Sequence, residues 1–293
     1  LHIGHGRGAA IGDALANILQ AAGYDVSREY YVNDTGNQMQ MLGRSVYARY
    51  LEMLGKEISF PPEYYQGDYI REIARHILDR HGDRYAQASE AEAISFFTSA
   101  SVDSIMEGIQ KDLSDFGCRF DTWFSENSLF REKTVENAIE ELDKKGCLYR
   151  HEGHLWFKST DFGDDKDRVV VRSNGVPTYF ASDIAYHANK LQRGYRKTIN
   201  IWGADHHGYI PRIKAVMEAL GNGRDSVEVL LVQFVSLVRN GVPVSMSTRS
   251  GTFVTLREVL DEVGPDAVKY IFLTRKSDAQ LEVDLEVAKK QSD

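Results

Sequence analysis

Proline, cysteine and tryptophan are scarce in this 293-residue sequence, with 6, 2 and 3 occurrences. So few prolines, and no repeat or low-complexity tract, exclude a collagen-like or disordered chain. Cys118 and Cys147 lie far apart and outside any Cys-x-x-Cys pair, which excludes a disulfide framework and a cysteine zinc site. They read as small buried hydrophobes in a reducing compartment, so a cytoplasmic location is expected. A long hydrophobic run is missing too. The most apolar stretch, Val227 to Val238, is interrupted by Glu228, Gln233 and Ser236, short of the ~18 uninterrupted apolar residues of a membrane span. Nor is there an excess of positive charge. Acidic residues number 43 against 35 basic, a net charge of −8, so general attraction to nucleic acid is not expected, although a local basic patch is compatible with it. What is present is core material: 42% of the residues are hydrophobic, in a length that suits about two domains of ~150 residues.

Helix and strand patterns alternate along most of the chain, the signature of an α/β fold with a parallel sheet. Ala10, Ile11, Ala14, Leu15, Ile18 and Leu19 predict a helix over Gly8 to Ala22, stopped by Gly23. A strand over Asp25 to Val32 leads to Asn33-Asp34-Thr35-Gly36, a cap for a helix towards Leu54. Residues 55–117 carry amphipathic helical stripes and no strand of their own, and read as a helical insertion. A strand at Phe120–Phe124 and a helix over Glu132–Lys145 follow. Residues 147–175 then read as a small β insertion with a hairpin signal at Asn174-Gly175, and His151 and His154 flank Glu152-Gly153, read as a hairpin tip, with no role assigned. Three further units are predicted: strand Val176–Ala181 with helix Asp183–Leu191, strand Thr198–Trp202 with helix Gly208–Leu220, and strand Glu228–Val238. Thr255 and Glu258 have capping-box spacing for a helical segment over residues 255–293.

Four constellations can carry chemistry. His2-Ile3-Gly4-His5 opens the first helix, placing two imidazoles on one face at a helix N-terminus, where phosphate is attracted and Gly4 lets a planar ring approach. That pattern suits a nucleotide triphosphate, but also two metal ligands or two surface residues. Ser245-Met246-Ser247-Thr248-Arg249-Ser250-Gly251 is dense in hydroxyls with one cation, and would serve as a phosphate lid or as a polar surface loop. Tyr179 and Asp183, four apart, would hold a guanidinium through a carboxylate and a phenol, or Asp183 would only stabilise its own helix. Gly203-Ala204-Asp205-His206-His207 sits at the carboxyl end of a predicted strand, where open α/β sheets bind ligands. A metal held by His206 and His207 with His2 and His5 is the competing reading. Adjacent histidines on one element generally diverge, so no structural zinc is expected.

The pairing of His2-Ile3-Gly4-His5 with Met246-Ser247-Thr248-Arg249 resembles the class I aminoacyl-tRNA synthetases. The sequences Gly6-Arg7-Gly8-Ala9-Ala10-Ile11-Gly12-Asp13, Tyr30-Tyr31-Val32-Asn33-Asp34-Thr35-Gly36, Pro177-Thr178-Tyr179-Phe180-Ala181-Ser182-Asp183 and Gly264-Pro265-Asp266-Ala267 narrow the resemblance to the arginyl-tRNA synthetases. It covers essentially the whole chain and matches the catalytic domain of that family, without its N-terminal tRNA-contacting and C-terminal anticodon-binding domains.

The resemblance implies a doubly wound, Rossmann-like parallel sheet and an ATP-dependent ligase that forms arginyl-adenylate and transfers arginine to tRNA. It implies ATP, with Mg2+ accompanying the nucleotide, and arginine and tRNA as partners of a monomer that does not enter a membrane. His2 and His5, with Ser247, Thr248 and Arg249, would act on the phosphates. Gly4, Gly203, Asp205, Gln233, Phe234, Val235 and Met246 would bind ATP, while Tyr179, Asp183 and His206 would bind arginine. The family's lid motif, Lys-Met-Ser-Lys-Ser, has both lysines replaced here, by Ser245 and Thr248, so Arg249 becomes the candidate cation. A glutamate-specific synthetase, a metal-dependent hydrolase and a non-enzymatic paralogue are the rival readings.

Overall fold

The computed structural model describes residues 1–244 and 254–290. Helix α1 (Ile3–Ala21) starts at Ile3 rather than Gly8, because His2 supplies a side-chain cap that apolar spacing does not reveal. Strand β1 (Glu29–Val32) follows, then α2 (Asn37–Met53), α3 (Asp68–His81) and the long α4 (Glu90–Asp115). These three helices share a core of their own, in which Tyr50, Ile70, Val46 and Phe97 are fully enclosed. Ser89 caps α4 through the Glu92 N–H. At Gly43 the α2 backbone rests directly on α4: an added Cβ would come within 2.8 Å of the Thr98 nitrogen.

The chain re-enters a parallel pair at β2 (Thr122–Ser125), which runs beside β1 in the register Glu29 to Thr122. Helices α5 (Glu126–Arg131) and α6 (Thr134–Lys144) precede an antiparallel sheet of β3 (Leu148–His151), β4 (His154–Phe157) and β5 (Arg168–Val171). Next come α7 (Tyr179–Gln192), β6 (Thr198–Gly203), α8 (Ile210–Ala219), β7 (Val227–Val232), β8 (Val235–Arg239) and β9 (Val242–Pro243). The last elements are α9 (Leu256–Val263), α10 (Pro265–Leu273), β10 (Leu281–Asp284) and α11 (Leu285–Lys290).

Three expectations are corrected. No strand occupies Val176–Ala181: Pro177 makes a single bridge to Val171, and α7 then starts at Tyr179, with the Thr178 hydroxyl donating back to the Val169 carbonyl at 2.9 Å. Its Tyr179, Phe180 and Ala181 are drawn into a helix that packs against α6 and α8, a tertiary gain that overrides strand propensity. The strand predicted over Glu228–Val238 is broken at Gln233-Phe234 into β7 and β8. Residues 255–293 are not purely helical, since β10 lies parallel to β8, Leu281 beside Val235. The parallel ladders are β1 with β2, β6 with β7, and β8 with β10, hydrogen-bonded as separate small sheets.

Helix α1 ties the ladders together. It packs on β6, β8, α9 and α10. A Cβ on Gly12 would lie 3.4 Å from Ile201 Cγ1, and one on Gly6 only 2.6 Å from Leu256 Cδ1. Bare backbone at these turns lets the helix settle onto strand and helix neighbours. Leu237, Leu256, Phe272 and Leu285 fill the apolar cluster beneath Ile3, each at most 1% exposed, and full burial of a side chain of this size is worth about 1.5–3 kcal/mol.

Candidate active site

The carboxyl ends of four parallel strands carry the polar groups of interest. After β1 comes Asp34, after β2 Glu126, after β6 Asp205 and His206, and after β7 the Gln233-Phe234 break. Strand carboxyl ends are where open α/β folds leave crevices, because the connections to the next helices diverge there.

His2 and His5 form the start of α1 as a reciprocal cap. The Gly4 N–H donates to His2 Nδ1 at 3.1 Å, and the His2 N–H donates to His5 Nδ1 at 3.3 Å. The planar ring that lies against Gly4 is therefore the protein's own: an added Cβ there would stand 3.0 Å from His2 Cε1. Since each Nδ1 accepts, each neutral ring carries its hydrogen on Nε2. Desolvation lowers the His2 pKa, and desolvation followed by the neighbouring His2 pushes His5 down to about 4, although His5 keeps an edge open to solvent. Both rings are uncharged donors at neutral pH. The segment holding Met246, Ser247, Thr248 and Arg249 lies outside the described residues. Thr255, which follows it closely in the chain, forms an antiparallel bridge with His2, and the Leu256 N–H donates to the Leu1 carbonyl at 2.9 Å.

Asp183 belongs to the second turn of α7, not to a first turn after a strand, so the helix terminus is not what governs its charge. Burial first, and then the charge of Glu126, raise its pKa to about 7 against the opposing effect of Arg212 on α8. Among the described residues no side chain hydrogen-bonds to the Asp183 carboxylate. Glu126, 3% exposed at the start of α5, accepts hydrogen bonds from the hydroxyls of Ser182 and Tyr31, and burial raises its pKa as well. Asp34 holds that helix start in place: it accepts from Ser125 Oγ at 2.5 Å and from the Asn127 N–H at 2.9 Å. Tyr179, 66% exposed at the first residue of α7, directs its hydroxyl towards Gly36. Sequence reasoning missed Glu126 and Tyr31. The signal available for Glu126 was an acidic residue immediately after a strand, in a stretch where no helix was predicted.

Gly203 ends β6, and Asp205 and His206 lie in the short 3-10 helix Ala204–Tyr209, exposed, with His206 Nε2 3.7 Å from Asp205 Oδ2. The Asp205 carboxylate folds back over Gly203, occupying the space a side chain there would need. Among the described residues no three His, Cys, Asp or Glu side chains converge. At the β7–β8 break, Gln233 is already bonded both ways: its N–H donates to the Ser277 carbonyl at 2.8 Å, and its carbonyl accepts from Arg7 at 2.9 Å. The break can therefore offer little of Gln233's backbone to a nucleoside. What it presents is the Phe234 ring, 61% exposed. Val235 opens β8 and is buried.

Arg7 also escaped the sequence reading. It is fully enclosed and donates to the carbonyls of Gln233, Ala279 (2.8 Å) and Lys276 (2.8 Å). One guanidinium thus joins the first turns of α1 to the β7–β8 break and to the loop before β10. Its planar fork satisfies separate acceptors at once, which a point ammonium does less well.

This chain has extensive likeness to known proteins. A family model described as "tRNA synthetases class I (R), catalytic domain" matches residues 1–289. An arginine–tRNA ligase of Geobacter sp. (strain M21) is 60% identical over 292 residues, covering 100% of this chain and 53% of that protein. The arginine–tRNA ligase of Nitrosomonas europaea is 49% identical over 325 residues, covering 100% of this chain and 56% of that protein. A Campylobacter jejuni protein described as an arginyl tRNA synthetase has a TM-score of 0.89 at 41% identity, over 98% of this chain and 62% of that one. Thermus thermophilus arginyl-tRNA synthetase shares the fold, with a TM-score of 0.73 at 19% identity over 99% of this chain and 58% of that one. The chain spans about half the length of the curated relatives it matches.

Proposed function

Given that the chain belongs to the class I arginyl-type tRNA synthetase catalytic-domain family, we propose that it performs the arginine–tRNA ligase reaction. Arginine is activated with ATP, taken as its magnesium complex, and then passed to the terminal ribose of tRNA. The observation that carries this reading is the pair Asp183 and Glu126, a half-buried carboxylate on α7 whose pKa is raised by the charge of a fully buried one on α5. Glu126 is bonded only to hydroxyls and Asp183 to nothing among the described residues. A planar guanidinium entering between them relieves that repulsion and fills carboxylate oxygens through parallel hydrogen bonds. Tyr179 closes the socket from the exposed side of α7, and His206 is assigned to the backbone end of the arginine.

In the first step a carboxylate oxygen of arginine attacks the α-phosphorus of ATP, and the bond from that phosphorus to the pyrophosphate oxygen breaks. His2 and His5 donate from Nε2 to phosphate oxygens on which charge grows, aided by the N-terminus of α1. Because both rings are neutral, their contribution is a pair of fixed hydrogen bonds. Ser247, Thr248 and Arg249 are assigned to closing over the pyrophosphate, with Met246 beside the nucleoside. Gly203 is assigned to the approach of the adenosine once the Asp205 carboxylate, which folds back over it, turns to accept from ribose hydroxyls, and the Phe234 ring offers a face to the base. In the second step a ribose hydroxyl of tRNA attacks the adenylate carbonyl and AMP departs. Catalysis is positioning and charge stabilisation throughout. The parallel ladders are read as sections of one doubly wound, Rossmann-like arrangement, with residues 55–117 and 147–175 inserted into it.

The test is ATP–pyrophosphate exchange on the full-length protein, with arginine or lysine, in the presence and absence of tRNA. Exchange that depends on arginine supports the reading. Its absence under both conditions would sink it.

A further inference from the structure

Below Asp183, α7 carries a buried polar chain that the proposed reaction does not use. His187 is 2% exposed, and its Nδ1 lies 2.8 Å from the backbone carbonyl of Asp183. A carbonyl only accepts, so Nδ1 bears the hydrogen and Nε2 is left as an acceptor. Asn200 on β6, 6% exposed, fills it: its Nδ2 is 2.9 Å from His187 Nε2. The Asn200 Oδ1 in turn accepts from Lys190 Nζ at 3.2 Å. Each donor is thus specified in sequence, from Lys190 through Asn200 and His187 to the Asp183 carbonyl. Lys190 is itself held 4.0 Å over the Tyr186 ring. The Tyr186 hydroxyl donates to Glu29 Oε1 at 2.6 Å, and Arg193 grips the same carboxylate with both terminal nitrogens, at 2.6 and 3.1 Å.

Such a chain is costly to bury. Desolvation draws Lys190 down to about 8 and His187 to about 3, and apolar residues of similar volume would join a helix to a strand without that cost. What apolar residues cannot do is hold one turn of a helix in one register against one strand. A fully connected polar network specifies a single arrangement, because any shift leaves a buried group unpaired. Here the turn so held carries Asp183, whose carboxylate feels the charge of Glu126. The strand that anchors it, β6, ends at Gly203 and leads directly to Asp205.

We propose that His187, Asn200 and Lys190 are positioning residues for arginine recognition, holding the Asp183 turn of α7 in register with Glu126 and with the end of β6. The inference rests on the arginine reading above and deepens it.

Two replacements at one position separate the links of the chain. His187→Asn keeps a donor where Nδ1 stood and can still reach the Asp183 carbonyl. His187→Gln keeps an acceptor where Nε2 stood and can still satisfy Asn200, but it abandons that carbonyl. Measured in the full-length protein, His187→Gln should raise the KM for arginine about tenfold, the effect of losing one buried hydrogen bond that orients a ligand contact. The KM for ATP and kcat should stay within about twofold, and His187→Asn should stay within about threefold of the parent in arginine KM. Asn200→Asp, read by arginine binding in calorimetry, supplies a second variant should His187→Gln fail to fold, and is expected to weaken arginine while sparing ATP. Parental arginine KM in a folded His187→Gln protein would overturn the proposal. So would parallel rises in arginine and ATP KM, which a merely structural role predicts. A parent protein that neither binds arginine nor exchanges pyrophosphate with it would instead bring down the arginine reading itself.

Discussion

The imidazoles of His2 and His5 stack with centroids 3.6 Å apart and 24° between their planes, and each ring's Nδ1 is consumed in capping the helix they begin. The stack and the cap are one device. Capping fixes the rings, and among the described residues it leaves both Nε2–H groups without partners, available for the phosphate role proposed above.

His5→Ala should slow adenylate formation by about 2–4 kcal/mol of barrier, the range for removing one preorganised donor to a developing charge. Arginine affinity should barely move, since the socket lies on α5 and α7. Rapid-quench single-turnover kinetics would check both statements, and full activity in His5→Ala would remove the histidine from the phosphate step.

Asp183→Asn replaces a carboxylate with an amide that accepts through only one oxygen. Loss of one partner of a buried charged pair costs about 2–5 kcal/mol, so arginine use should fall ~30-fold or more. ATP binding measured without arginine should be unchanged. Lysine should be a poor substrate for the parent, because an ammonium cannot span two carboxylates as a planar fork does. Normal arginine activation by Asp183→Asn would reduce Asp183 to a helix residue.

The pH dependence follows from the raised pKa of Asp183, about 7 in the free protein. Below that value the carboxyl is protonated and cannot pair with a guanidinium, so arginine affinity should rise with pH up to about 7 and then level off. Near pH 6 binding should release about one proton, as the guanidinium draws the carboxyl into its ionised form. Calorimetry in buffers of different ionisation enthalpy reads this directly. Glu126→Gln should shift the midpoint downward by removing the neighbouring negative charge, while weakening arginine binding. An unchanged midpoint would show that Glu126 does not reach Asp183.

Arg7→Met should lower stability by about 2–4 kcal/mol in urea unfolding, since three carbonyls lose a charged donor inside the protein. Arg7→Lys should restore only part of it. The ATP KM should rise in both variants, because the β7–β8 break loses its anchor. Wild-type stability in Arg7→Met would show that those carbonyls find other donors.

Arg249→Ala should lower the maximal exchange rate more than it weakens ATP binding, if that residue meets charge that develops only as pyrophosphate leaves. Normal turnover would transfer the role to another cation.

Much of the candidate site was legible because it is written in local chemistry. Two histidines three apart at a helix start and Thr255 capping Glu258 depend on neighbours within a few residues. Amphipathic spacing likewise marked α3 and α4, whose apolar faces repeat at helical intervals whatever they later pack against. Tyr179 and Asp183 were found by their motif, but their placement was misjudged. The stretch Val176–Ala181 has strand-like composition, but its second half, Tyr179–Ala181, belongs to α7, which packs between α6 and α8.

The sequence by itself determined the alternation of helices and strands, the caps and turns, and the motifs that mark the family, since each is settled by side chains close together in the chain. Only the tertiary structure decided that Arg7 would find its acceptors at Gln233, Lys276 and Ala279, more than two hundred residues away. It alone decided that β10 would pair with β8, and that Glu126 would be buried beside Asp183. Burial, like-charge proximity and strand pairing are properties of what the chain brings together in space. A carboxylate that reads as one more solvated acid in the sequence becomes half of the proposed cation socket only when a second one is folded near it and water is withdrawn.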